Sequence, residues 1–164
     1  HNVYLPRFEG WWGHDKSSRF EMGPEYKSMG TAESWQLSNA PVLNMAVHKA
    51  SLEVFEEAGG MDILRERSVR LTCFLEKTVH AVSEITGVNL EILTPSNPDE
   101  RGCQLSIVAH GYGRELFDAI SAKGVVVDWR EPAVIRMAPV PLYNSFEDIA
   151  RFGIILKDAL QSKA

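Results

Sequence analysis

A change in hydrophobic periodicity near residue 41 constrains the fold of this chain more than any other feature. After it, apolar residues recur with helical spacing or strand alternation, in the order helix, helix, strand, strand, helix, strand, strand, helix. Strands that follow one another closely can pair antiparallel. The order therefore predicts an α+β fold, in which a small antiparallel or mixed sheet is covered by helices.

Recognisable signals bound the predicted helices. The first apolar stripe ends at a glycine pair, the second ends at Gly87, and the third ends at Gly124. Before the last helix, Ser145 is followed three residues later by Asp148, the pattern of a capping box. The stripes cover residues 43–58, 64–85, 116–120 and 146–160.

Alternating or β-branched runs predict the strands, and they place one arginine on a defined face. The runs cover residues 88–92, 103–109, 125–128 and 134–138, and the last two are joined by a turn at residues 130–132. Successive side chains of a strand point to opposite faces. Arg136 is therefore expected on the face opposite Ile135 and Met137.

The first forty residues show neither helical spacing nor strand alternation of apolar residues, yet they are rich in large aromatic side chains. A disordered linker would be poor in such residues, and a long irregular segment is normally a functional loop. We therefore expect that residues 1–40 form an irregular segment whose packing partner lies elsewhere in a longer protein, and that residues 41–164 form a small C-terminal domain. The rings belong to Trp11, Trp12, Phe20, Tyr26 and Trp35.

Arg136 is the candidate binding residue that the pattern singles out. It lies in an apolar run that stops at two prolines, and a permanently charged guanidinium is costly there unless a carboxylate or phosphate meets it. One interpretation is a clamp for a substrate carboxylate. The other is an edge-strand arginine whose head lies in water.

Composition excludes several classes of protein. The chain has 164 residues, of which 45% are hydrophobic, so it can bury a core without a second domain. A formal net charge of -5 argues against nucleic acid as a partner. No apolar run is long enough to cross a bilayer, no signal peptide is recognisable, and the histidines lack metal-ligand spacing. We therefore expect a cytoplasmic protein with no metal site and no membrane contact.

Several motifs together resemble the C-terminal portion of kynureninase, a family of pyridoxal-phosphate hydrolases with the aspartate-aminotransferase-like fold. The resemblance covers nearly the whole chain. In one respect it departs from the family, because Ala40 stands where a proline usually follows the Ser-Asn pair. The motifs are G-W-W-G-H-D at residues 10–15, L-S-N at 37–39, E-R-G-C-Q-L-S at 100–106, G-V-V-V-D-W-R at 124–130 and the segment 134–148.

The resemblance implies roles for individual residues. Trp11 would donate its indole N–H to the cofactor phosphate, and Asn39 would also reach the cofactor; from chemistry alone, Trp11 could be a core ring. Ser38 would lie near the aryl end of the substrate, although Ser38 and Asn39 could equally form a turn or helix cap. His14 would line the aromatic pocket, or it could be a surface histidine paired with Asp15. Arg136 would bind the α-carboxylate of the amino-acid substrate.

The implied activity of the intact enzyme is hydrolysis of L-kynurenine, or 3-hydroxykynurenine, to anthranilate, or 3-hydroxyanthranilate, and L-alanine. The family's cofactor lysine and its aspartate lie upstream of the 10–15 motif, so no catalytic residue is assigned in this chain and the chain alone is expected to be inactive. A homodimer is implied. The alternatives are a piece of another enzyme of the same superfamily, such as a cysteine desulfurase or an aminotransferase, and a non-catalytic dimerisation or binding domain.

Overall fold

A computed structural model of the protein describes residues 5–162. The chain divides into two compact units, an N-terminal unit that runs to Leu52 and a C-terminal unit that begins at Glu53. The division at residue 40 inferred from the sequence stays a prediction, and residues 1–4 of that segment lie outside the described part. The two units are described separately below.

The N-terminal unit is irregular up to the start of its helix. Residues 5–40 contain a short 3-10 helix at Ala32–Trp35 and an isolated antiparallel bridge between His14 and Ser28. The predicted first helix follows as α1, Val42–Glu57, and the division between the units falls within it. No residue of α1 is buried, and Leu43 of its apolar stripe is 80% exposed. The stripe is therefore available to a partner.

The other three predicted helices lie in the C-terminal unit, and their boundary signals act as expected. α2 ends at Gly87, whose φ of 70° is the left-handed conformation that glycine adopts without strain. α4 begins at Ser145, whose hydroxyl accepts from the backbone N–H of Asp148 while the Asp148 carboxylate accepts from the backbone N–H of Ser145. The helices are α2, Gly60–Thr86, α3, Arg114–Ala122, and α4, Phe146–Gln161.

The strands form one antiparallel sheet in the order β1, β2, β4, β3. The predicted position of the third strand was wrong. The valine run at residues 125–128 was expected to form it, but Val126 is 97% exposed and the strand begins at Asp128. Trp129 pairs with Ile135 and packs on Phe117, which carries the strand past its expected end. The strands are β1, Leu90–Ile92, β2, Leu105–Ala109, β3, Asp128–Arg130, and β4, Val134–Met137.

The core of the C-terminal unit lies between one face of the sheet and the helices. Ile107 and Ile135 of the sheet are buried in the same cluster as Leu71 of α2 and Leu156 of α4. Helices α2 and α4 approach closely, since a Cβ at Gly153 would lie 2.5 Å from the Thr78 side chain. This arrangement confirms the predicted α+β class, and it leaves the opposite face of the sheet available for polar residues.

Candidate functional site

Arg136 lies on the sheet face opposite the core, as the alternation predicted. Its neighbours along β4, Ile135 and Met137, are both buried, whereas the Arg136 side chain is 31% exposed. The edge-strand interpretation of this arginine was wrong, because β4 lies between β2 and β3 and is an interior strand. Its guanidinium is thus carried on a rigid part of the sheet rather than on a fraying edge.

A carboxylate within the same hairpin meets this guanidinium. Asp128 of β3 is the register partner of Arg136, and its Oδ2 accepts hydrogen bonds from Nε, at 2.9 Å, and from Nη2 of Arg136. Cross-strand neighbours have Cβ atoms about 5 Å apart, so the register itself brings the two side chains together. Sequence reasoning missed Asp128, although a hairpin closing at residues 131–133 would have paired it with Arg136.

Arg130 is the third member of this group. Its Nη2 lies 3.2 Å from the same Oδ2 of Asp128. The hydrogen bond from Arg136 and the nearby Arg130 and Arg136 charges lower the pKa of Asp128, so the carboxyl group stays ionised at neutral pH. Two guanidinium groups around one carboxylate leave a net positive charge, and the group can therefore attract an anion. We call these three residues the arginine cluster.

The N-terminal unit explains why its G-W-W-G motif carries glycines. A Cβ at Gly10 would lie 2.2 Å from the Leu37 backbone, and one at Gly13 would lie 2.4 Å from the Ser34 carbonyl oxygen. Neither distance is possible for a real side chain. The glycines therefore let the motif pack directly against residues 34–37, immediately before the Ser-Asn pair.

The tryptophan pair links this motif to Asn39. The indole N–H of Trp12 donates to Oδ1 of Asn39, and the Trp11 ring stacks on Trp12 with centroids 4.9 Å apart. Trp11 is 44% exposed, and its indole N–H meets no acceptor among residues 5–162. Trp12, which the sequence did not single out, thus holds Asn39, while the donor of Trp11 remains available to a ligand.

Arg19 holds the motif in shape, and it too was missed from sequence. Its Nη2 donates to the carbonyl oxygens of Trp12, at 2.8 Å, and His14, at 3.2 Å, and the guanidinium lies 4.5 Å from the Trp12 ring centroid. Arg19 is only 9% exposed. The signal available in the sequence was an arginine within an aromatic-rich segment, because a cation that is buried there needs acceptors or rings to compensate its charge.

His14 lines a cleft together with Trp11, but both of its ring nitrogens form hydrogen bonds within the loop. Nε2 lies 3.1 Å from the Ser18 hydroxyl, and Nδ1 accepts from the backbone N–H of Lys27. The suggested pairing of His14 with Asp15 does not occur. Hydrogen bonds from Ser17 lower the pKa of Asp15 to about 2, and Lys27 pairs with its carboxylate. His14 can therefore offer a ring face to the cleft rather than a hydrogen bond.

The cleft of the N-terminal unit has a volume of about 450 Å³ and an aromatic lining. Asn39 and Ser38 do not line it; both are exposed, and no hydrogen bond of the Ser38 hydroxyl is present among the described residues. The structure thus brings Trp11, His14 and, through Trp12, Asn39 together, whereas Arg136 belongs to the other unit. The ring-bearing residues of the lining are Trp11, His14, Phe20 and Tyr26.

Replacing Gly10 should disturb this unit more than any other single-methyl change in the segment. In the intact protein we expect Gly10→Ala to lower activity by roughly tenfold or more, since displacing a packed backbone costs about 1–3 kcal/mol and each 1.36 kcal/mol is tenfold. Gly102→Ala is the control, because nothing lies within 4 Å of its Cβ and Gly102 does not line the cleft. Steady-state kinetics of both variants measure the effect, and equal activities would show that the close approach to Leu37 is unimportant.

Two further properties concern the described residues as a whole. Within residues 5–162, no helix is long and apolar enough to cross a membrane. The same residues contain no group of three or more histidine, cysteine or acidic side chains that could hold a metal ion.

Comparison with known proteins gives a consistent result over most of the chain. The profile of the kynureninase C-terminal domain matches residues 64–156. The kynureninase of Christiangramia forsetii is 50% identical over 159 residues, covering 97% of this chain and 37% of that protein. The kynureninase of Flavobacterium psychrophilum is 51% identical over 156 residues, covering 95% of this chain and 36% of that protein. The kynureninase of Koribacter versatilis is 49% identical over 148 residues, covering 90% of this chain and 34% of that protein. The chain thus spans little more than a third of these relatives.

Proposed function

Because this chain belongs to the kynureninase family and corresponds to its C-terminal part, we propose that the intact protein hydrolyses the Cβ–Cγ bond of L-kynurenine or 3-hydroxykynurenine. One water is consumed, and anthranilate or 3-hydroxyanthranilate is released with L-alanine. The observation that carries this proposal is the placement of Arg136 on an interior strand, with part of its guanidinium open to a ligand.

Arg136 would bind the α-carboxylate of the substrate. A guanidinium forms two parallel hydrogen bonds to a carboxylate, and such bidentate contacts fix orientation as well as adding affinity. Holding the carboxylate fixes the direction of the Cα–H bond, which must be broken early in the reaction. The net positive charge of the arginine cluster favours this ligand over a neutral one.

The N-terminal unit would contact the cofactor, pyridoxal phosphate. When bound, this cofactor supplies an electron sink for charge that develops on the substrate carbons. The unpartnered indole N–H of Trp11 fits a phosphate oxygen, which is a strong acceptor. Asn39, held through its Oδ1 by Trp12, keeps its amide N–H groups for the cofactor region. The lysine that would bind the cofactor covalently is proposed to lie in the part of the protein upstream of this chain.

The aryl end of the substrate would lie against the ring-lined cleft. His14 presents a ring face there, because both of its nitrogens are engaged within the loop. Phe20 is 77% exposed and lines the same cleft, so it offers further apolar surface to an aminophenyl group. Ser38 lies outside this cleft, so only the family resemblance supports a contact of its hydroxyl with the aryl end.

We also propose that the intact protein is a cytoplasmic homodimer. Symmetric dimers are the commonest soluble oligomers. An aromatic-rich segment and the exposed stripe of α1 provide the apolar surface that such an association would cover. Cys73 and Cys103 are both free, which fits a reducing compartment.

The experiment that tests this function compares the isolated chain with its full-length parent. The parent, purified with pyridoxal phosphate and given L-kynurenine, should release anthranilate, which is followed by its fluorescence. The isolated chain should give no turnover above the free-cofactor background, because the cofactor lysine is expected upstream. Failure of the parent to release anthranilate would overturn the proposed reaction. Turnover by the isolated chain would overturn the proposal that the cofactor lysine lies upstream of it.

A further inference from the structure

We propose that Asp128 is a positioning residue for Arg136, which it holds so that the outer edge of the guanidinium faces the substrate carboxylate. This inference rests on the function proposed above for Arg136. It adds a residue that sequence reasoning left without a role, and it explains how the substrate-binding arginine is oriented.

Asp128 occupies only one edge of the Arg136 guanidinium. A guanidinium can offer a side edge, formed by Nε and one terminal nitrogen, or an end edge, formed by both terminal nitrogens. Asp128 accepts from Nε and Nη2 of Arg136, which is the side edge. Nη1 meets no acceptor among the described residues. The end edge, with one N–H from each terminal nitrogen, thus remains for a second carboxylate.

The backbone of the β3–β4 hairpin fixes Asp128 beside Arg136. Asp128 and Arg136 are direct register partners in the β3–β4 hairpin, and Trp129 with Ile135 is the next pair in the same ladder. The Trp129 ring packs on Phe117 of α3, which ties the strand of Asp128 to the core. A substrate would therefore meet a guanidinium whose side-chain freedom is already restricted, and the loss of entropy on binding is smaller.

The charge of the arginine cluster also favours an anionic ligand. A single aspartate beside a single arginine would neutralise it and weaken its attraction for an anion. Here Arg130 also contacts Asp128, at 3.2 Å, so the group retains a net positive charge. The same two cations lower the pKa of Asp128, and the carboxylate therefore keeps its orienting role at neutral pH.

A plain ion pair that only stabilises the hairpin would show the same contacts. The two roles differ in which quantity they change. If Asp128 positions Arg136, removing its charge should raise KM while the melting temperature stays near native, and it should do so only while Arg136 is present. If Asp128 only stabilises the hairpin, its removal should lower the melting temperature without raising KM.

The test is a double-mutant cycle in the full-length parent enzyme, with Asp128→Asn, Arg136→Ala and both changes together. We expect Asp128→Asn to raise KM for kynurenine by roughly tenfold, since charge-assisted orientation is lost, with a smaller change in kcat. In the Arg136→Ala background the same change should have no further effect. Asp128→Glu, which keeps the charge one methylene further out, should fall between Asn and the native residue.

Glu131→Gln is the matched control. It removes another carboxylate from the same hairpin, one that accepts from the Trp129 indole rather than from an arginine, and its KM should match the native enzyme. Melting temperatures of all variants show whether the hairpin remains folded.

The outcomes separate the inference from the function on which it rests. If Arg136→Ala is impaired but Asp128→Asn is normal, or is equally harmful in both backgrounds, the positioning role is overturned and the clamp stands. If Arg136→Ala itself has native kinetics, the clamp is overturned, and the role of Asp128 falls with it.

Discussion

In the full-length parent, Arg136→Ala should lower kcat/KM for kynurenine by on the order of a hundredfold. Loss of a charge-assisted bidentate contact costs roughly 2–4 kcal/mol, and each 1.36 kcal/mol is tenfold in rate. Arg136 lies on an interior strand, whereas the neighbouring Arg130 lies on the edge strand β3 and its side chain is 59% exposed. Steady-state anthranilate release measures the effect.

Arg136→Lys should recover little of this loss, because an ammonium group cannot reproduce the planar fork or its contact with Asp128. Arg151→Ala is the matched control, since it removes an exposed arginine of α4 from the same unit. Near-native kinetics for Arg136→Ala would support an arginine that only contributes to the surface of the sheet.

The second large effect is expected from mixing two inactive full-length variants. One carries Asn39→Ala, and the other carries a change of the upstream cofactor lysine. If the N-terminal segment completes the site of the partner subunit, each hybrid dimer contains one site with both native contributions. After full exchange of equal amounts, about a quarter of the native activity should return. The measurement is anthranilate release before and after subunit exchange.

A reciprocal mixture controls for exchange. The native protein is mixed with a variant that carries both changes in one chain. If Asn39 serves the partner, hybrids have no complete site, and activity per native subunit should fall by about half. If Asn39 serves its own subunit, that activity stays constant, and the first mixture shows no recovery. This second pattern would contradict the shared site.

Helices were the part of the fold that the sequence predicted best. The reason is that their ends carry local signals, such as Gly87 in the left-handed conformation and the capping box of Ser145 and Asp148. The face of Arg136 was also predictable, because alternation along a single strand fixes it. These features depend on residues close together in sequence.

The third strand and the partner of Arg136 were not predicted, because both depend on register. A run of valines resembles a strand, but Val126 is exposed, and the pairing of Trp129 with Ile135 decides where β3 lies. That pairing also places Asp128 beside Arg136. Register between strands is set by the turn and by packing on the core, which a single-strand pattern does not contain.

The candidate site in the N-terminal unit was only partly predictable. The glycines of its motif allow a close approach to the Leu37 backbone, which lies far along the chain. Trp12 and Arg19 hold the loop through contacts with Asn39 and with carbonyl oxygens. Hydrophobic periodicity does not predict such contacts, because each is a single pairing within an irregular segment.

The most direct test of the central claim, that Arg136 binds the substrate carboxylate, is a pair of inhibition constants. Deaminated kynurenine keeps the carboxylate, and the corresponding aryl ketone lacks it. We expect both to compete with the substrate without being cleaved, because neither has the α-amino group. We expect the native enzyme to bind the acid at least about tenfold more tightly than the ketone, and Arg136→Ala to lose this preference. If Arg136→Ala instead weakened both inhibitors equally, or kept the preference for the acid, Arg136 would not be the carboxylate clamp.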